Sequence, residues 1–168
     1  VLMCPPDYFE VMWVKNVHME GNIGKINSGT AWKQWYAVKQ AFTNVGLTVH
    51  ELPPVSGLDD MVFTANQGLA YLDEEGSKKM ILAKMFAKNR QREIPPFGDW
   101  FSHHNYQIVD WNPESDDYFE GNGDTVWYRA KKLLIMGYGH RSTLLASQKV
   151  AAALDISTVF LRLIDRRF

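Results

Sequence analysis

One pattern, a helix followed by a strand, a loop and a hairpin, recurs along this chain and restricts the folds open to it. Trp32, Trp35, Tyr36, Val38 and Phe42 make a broad apolar face between Thr30 and Val45, and Gly46 follows as a stop signal, so a helix is expected there. Leu47 to Leu52 alternates as a strand and Pro53-Pro54 ends it. MVFTAN then reads as a hairpin with GLAYLD, returning after the DEEGS turn through KMILAKM. Asn89 to His104 is a second helical region, interrupted at Pro95-Pro96, where a helix can restart because proline is tolerated in the first turn.

The same order then returns. Gln107 to Trp111 reads as a strand, NPESDD as a loop, DTVWYRA with KKLLIMG as a hairpin, Ser142 to Leu154 as a helix and Thr158 to Ile164 as a closing buried strand. The spacing of roughly 50 to 60 residues falls in the range of propeller blades and other repeated units. Strands alternating with helices give an α/β class, while the hairpins argue against a purely parallel, doubly wound sheet.

Composition sets further limits. With 168 residues, 46% hydrophobic and 13% aromatic, the chain can bury a sizeable core, so residues 1–168 are expected to form a single domain. Its 18 basic and 19 acidic residues nearly cancel, and the basic pairs Lys78-Lys79 and Arg166-Arg167 are too short to follow a phosphate backbone, which argues against nucleic acid. Cys4 is the sole cysteine, so neither an intrachain disulfide nor a CxxC zinc site can form, and a reducing, cytoplasmic setting is expected. No apolar stretch approaches the ~18 residues of a membrane span, and the N-terminal segment lacks the features of a signal peptide. A strand-like segment so close to Phe168 suggests that further polypeptide was removed or is supplied from outside.

Several tempting motifs carry little. EGNGD opens a hairpin instead of a helix, and MGYGHRS lacks the third glycine and downstream acid of a dinucleotide site. Trp32, Trp35, Trp100, Trp111 and Trp127 are scattered as core residues would be. His103 and His104 diverge on a helix, His18 and His50 have no partner in sequence, and His140 falls in the GYG loop. No metal site and no cofactor is indicated.

MCPPDYFEV, GLDDMVFTAN, and FEGNGDTVWY continuing into LLIMGYGHRST stand at equivalent places in successive units. Their order and spacing resemble the pentein superfamily of guanidine-modifying enzymes, the dimethylarginine dimethylaminohydrolases, arginine deiminases and amidinotransferases, in its N-terminal portion. The resemblance implies an incomplete five-bladed α/β propeller with about three of its ββαβ-type units present. It further implies cleavage of a guanidino C–N bond of arginine or a derivative through a cysteine thiolate, by hydrolysis or amidinotransfer. The competing reading is a degenerate, non-catalytic pentein that binds a ligand or protein.

A guanidinium is a flat cationic fork whose N–H groups a carboxylate can accept in pairs. The resemblance places Glu120 against that cation, gives Asp60 the substrate's α-amino group with Asp59 a weaker neighbour, and pairs Arg141 with the α-carboxylate. Asp124 closes the Gly-rich turn and is expected to be structural. Asn66 stands where many relatives carry Asp; an amide accepts a hydrogen bond but supplies no second charge. Arg90 and Arg92 align less well with another substrate-side arginine. The family's histidine and nucleophilic cysteine are expected beyond Phe168, with Cys4 a small buried residue, so residues 1–168 alone are expected to be inactive. The uncovered strand edges of such a piece call for association with the missing C-terminal part or another copy.

Overall fold

Asn27 starts the first helix by accepting the Thr30 N–H on its side-chain oxygen at 2.8 Å. Helix α1 runs Ser28–Asn44, and Gly46, with φ +84°, supplies the left-handed turn after it. The computed structural model describes residues 1–14 and 17–165, apart from the side chains at positions 18 and 129. Arg166 and Arg167, the second basic pair, lie outside the described residues. The chain divides into two compact units, Val1–Thr64 and Ala65–Arg166.

In the first unit, β1 (Leu2–Met3) pairs in parallel with β2 (His50–Glu51), so the strand expected over residues 47–52 forms only in its second half. A Lys39–Glu51 ion pair of 2.5 Å ties α1 to β2. No residue of α1 is buried, and Trp32 is 38% exposed, although its spacing suits a core-facing stripe. Cys4 is fully buried, as expected of a small apolar residue. MVFTAN does not form the first arm of a hairpin: residues 61, 62 and 64–67 are turns, with the Phe63 N–H bonded to the Asp60 carbonyl.

The true hairpin of this region is β3 (Gly68–Leu72) with β4 (Lys78–Leu82) in the second unit. Its turn is organised by Asp73, whose Oδ1 accepts the Glu75 and Ser77 N–H groups at 3.0 and 2.8 Å, with Gly76 at φ +82°. That internal wiring explains why the chain reverses at DEEGS and not earlier. β4 then connects through α2 (Ile94–His103) to β5 (Gln107–Ile108), which lies parallel to β4.

The next segment repeats this topology. β6 (Thr125–Tyr128) and β7 (Leu133–Tyr138) form an antiparallel hairpin, and α3 (Leu144–Leu154) leads to β8 (Ser157–Arg162), parallel to β7. The second unit thus contains two three-stranded ββαβ sheets, the recurrence read in the sequence. Among the described residues β8 pairs with β7 alone, and Val159 and Leu161 are 42% and 50% exposed, so the strand is an edge there and not the buried element expected. Leu69, Ile81, Trp111, Phe119, Leu134, Met136 and Val150 form one core drawn from both repeats. Of the five tryptophans read as core, Trp111 alone is fully buried; its ring meets Phe119 edge-on and its N–H donates to the Leu82 carbonyl at 3.0 Å. Trp35, Trp100 and Trp127 are half-buried.

The repeats are joined by backbone. Lys84 and Phe119 exchange two N–H···O bonds of 3.0 and 2.9 Å, which brings the exit of β4 against the approach to β6. Beside this bridge Gly121, at φ +54°, lies so close to Gly68 that a Cβ would stand 2.4 Å from its carbonyl oxygen. Gly121→Ala combines backbone strain with overpacking and should cost roughly 2–4 kcal/mol. Urea unfolding of both proteins measures this directly; a midpoint unchanged at equal slope contradicts the backbone contact.

Candidate functional site

The register of the two hairpins sets the location of the site. Gly68 at the start of β3 faces Leu82 at the end of β4, and Thr125 at the start of β6 faces Met136 near the end of β7. Segments that enter β3 and β6, or leave β4 and β7, therefore share one end of their sheets. Asn66, Glu120, Asp124 and Arg141 all belong to such segments.

Glu120 is the buried centre, at 3% exposure. Its Oε2 receives the Asn66 amide at 3.4 Å and lies 3.7 Å from an Arg141 nitrogen. The Glu120 N–H donates to Ser142 Oγ at 3.1 Å, and that hydroxyl donates to Asp124 Oδ2 at 2.7 Å. Arg141 reaches the other Asp124 oxygen at 2.5 Å, so one guanidinium spans two acids. The main chain holds Asp124 as well, since the Gly137 N–H donates to its carbonyl at 2.7 Å. Gly123 is small because Asn66 is there: a Cβ at 123 would stand 2.3 Å from the Asn66 amide nitrogen.

Burial pushes the Glu120 carboxyl above its ordinary range, because removing water disfavours the anion. The charges of Arg141 and Arg90 and the Phe86 N–H oppose that rise, while Asp124 adds to it. Arg90 is itself buried, its guanidinium donating to Glu93 at 3.1–3.3 Å. Gln67, fully buried, donates to the same Glu93 carboxylate at 2.8 Å.

The structure thus brings together Asn66, Glu120, Asp124 and Arg141, puts Arg90, also singled out from sequence, among the charges acting on Glu120, and adds Ser142, Gln67 and Glu93. Ser142 carries a local signal, since it follows Arg141 in HRST. The side-chain pairing of Gln67 with Glu93 carries none, because it joins positions 26 apart. Asp60, at 2% exposure, is buried as a substrate-side acid could be, but belongs to the first unit. Among the described residues no group of three or more His, Cys, Asp or Glu side chains could hold a metal ion, and no helix is long and apolar enough to cross a membrane.

With this geometry in place, comparison with known proteins identifies the lineage. The sequence model of the family described as N,N dimethylarginine dimethylhydrolase, eukaryotic, matches residues 12–167, and the chain belongs to this family. It is 39% identical over its whole length to the bifunctional arginine dihydrolase/ornithine cyclodeaminase ArgZ of Synechocystis sp., covering 23% of that protein. It is 30% identical over 166 residues, 99% of this chain, to the N(G),N(G)-dimethylarginine dimethylaminohydrolase of Mycobacterium tuberculosis, covering 51% of it. The solved N-terminal domain of ArgZ bound to substrate superposes with a TM-score of 0.89 at 38% identity, over 98% of this chain and 58% of that one. The chain therefore spans about a quarter of the cyanobacterial protein and little more than half of its solved N-terminal domain. The mixed α/β fold of these relatives is the fold seen here.

The raised Glu120 pKa has a sign that can be tested. An acid that holds its proton more tightly when folded leaves the unfolded chain with fewer bound protons, so stability falls as pH rises. The window runs from the ordinary glutamate value of 4.5 up to the raised folded value. Stability measured by denaturant unfolding across this window should fall more steeply in the parent than in Glu120→Gln. Equal slopes contradict the buried, desolvated carboxylate.

Proposed function

We propose that the Glu120 cluster is the cation-gripping part of a site for guanidino compounds, with L-arginine or a derivative as ligand. The observation that carries this reading is a carboxylate buried at the junction of two ββαβ repeats, with guanidinium groups among its charge partners. A site that already accommodates arginine side chains presents the polarity and shape a ligand guanidinium requires. The relatives support the ligand class: the ArgZ domain has been solved with its substrate, and AgrE as a binary complex with L-arginine.

In this proposal Glu120 accepts the guanidinium N–H groups, Asn66 orients the carboxylate, Arg141 takes the α-carboxylate and Asp60 the α-amino group. The amide of Asn66 adds no negative charge, so Glu120 carries the electrostatic recognition at this point. Residues 1–168 form about three units of an incomplete five-bladed pentein domain, working in a reducing, cytoplasmic setting. The domain is completed by further polypeptide or by another copy. C–N bond cleavage proceeds through attack of a thiolate on the guanidinium carbon, with a histidine protonating the departing amine. Cys4, fully buried and donating weakly to the Pro5 carbonyl at 3.7 Å, is not that nucleophile. The thiolate and the histidine come from polypeptide other than these residues.

Asn66, neutral where many relatives are expected to carry an acid, favours a second reading in which the site binds a guanidino ligand without turning it over. Citrulline, ornithine or urea release from arginine by the complete gene product separates the two readings. For the site itself, Glu120→Gln removes a charge-assisted contact worth ~1.5–3 kcal/mol and should weaken L-arginine binding at least about tenfold by calorimetry. Unchanged affinity removes Glu120 from the site.

A further inference from the structure

Arg141 stands in an unusual place for a residue assigned to a ligand's carboxylate, because its guanidinium rests on acids. One nitrogen lies 2.5 Å from Asp124 and another 3.7 Å from Glu120, the carboxylate assigned to the ligand's cation. Glu120 is 3% exposed while the Arg141 side chain is 40% exposed, so the partner free to move is the arginine. The two contacts are also unequal. The Asp124 contact is a short hydrogen-bonded pair, and Ser142 holds that aspartate at its other oxygen. The Glu120 contact is long and makes no hydrogen bond to Arg141.

We propose that Arg141 is a specificity-determining stand-in for the ligand: anchored on Asp124, it covers Glu120 with a guanidinium of its own until a ligand bearing both a guanidinium and an anionic group replaces it. This rests on the proposed role of Glu120 and deepens it. A ligand cation arriving at Glu120 meets a like charge a few ångströms away, which opposes binding. A ligand that also carries a carboxylate offers Arg141 a new bidentate partner as it leaves Glu120, so the repulsion is exchanged for an attraction. A guanidine without a carboxylate offers no such exchange. The residue thereby selects amino-acid guanidines over simple alkylguanidines through a penalty on the wrong ligand as well as a contact with the right one.

The test titrates methylguanidinium chloride and L-arginine separately, at matched ionic strength, into the complete gene product and its Arg141→Gln variant. The expected result is opposite shifts. Arg141→Gln should bind methylguanidinium about fivefold more tightly, the upper range for a partly exposed charge interaction, and L-arginine more weakly. Methylguanidinium affinity that is unchanged or lower in the variant, with L-arginine still bound by the parent, overturns the inference alone. Absence of binding by either ligand to either protein overturns the Glu120 reading beneath it. Where circular dichroism shows that the variant does not fold, the guanidinium NMR resonances of Arg141 in the parent decide. Their displacement by saturating methylguanidinium supports the stand-in role, and resonances that stay in place refute it.

Discussion

A carboxylate taken out of water has to be stabilised by what surrounds it, and the second unit is arranged around that requirement at Glu120. Burial raises the cost of its charge, and Arg141, Arg90 and the Phe86 N–H offset it. Each of those groups arrives by a different route. Phe86 is brought in by the backbone bridge between Lys84 and Phe119, Arg141 by the turn after β7, and Arg90 by the segment that leads into α2. Arg90 is in turn neutralised by Glu93, which Gln67 holds from the entrance to β3. The result is an alternation of acid and base through which neither sign of charge accumulates. Removing one member of such a buried set strands its neighbour, which is why the set behaves as a unit.

The backbone makes this arrangement possible by approaching itself more closely than side chains permit. Gly121 lies against the main chain of Gly68, Gly68 against the carbonyl of Ile81, and Gly123 against the amide of Asn66. These contacts draw the entrances of β3 and β6 together, so residues 54 apart in sequence share a hydrogen bond. The Gly-rich string that resembles ordinary turn chemistry thus has a second purpose: it leaves room for the polar groups of the neighbouring repeat.

The recurrence of helix, strand and hairpin was legible in the sequence because local signals carry it. Asn27 and Thr143 cap helices with their own side chains, Gly46 and Gly76 take left-handed turns, and β6 and β7 alternate as a hairpin should. Family resemblance pointed to Glu120, Asn66, Arg141 and Asp124 because short motifs contain them, and the fold does gather all four. The misreading of MVFTAN as a strand arose where apolar composition mimics a hairpin arm while its backbone groups close turns. For α1, the apolar spacing correctly indicated a helix but not whether this chain covers that face.

What the residues determined alone was therefore local: helix ends, turn positions and the ββαβ period, each set by neighbours a few positions away. Tertiary structure decided which polar side chains meet. The pairing of Gln67 with Glu93 and the seat of Arg141 on two acids join distant positions within one repeat each, while the contact of Asn66 with the buried Glu120 joins the two repeats. Charge compensation acts through space, and no periodicity along the chain encodes which distant groups will share a desolvated environment.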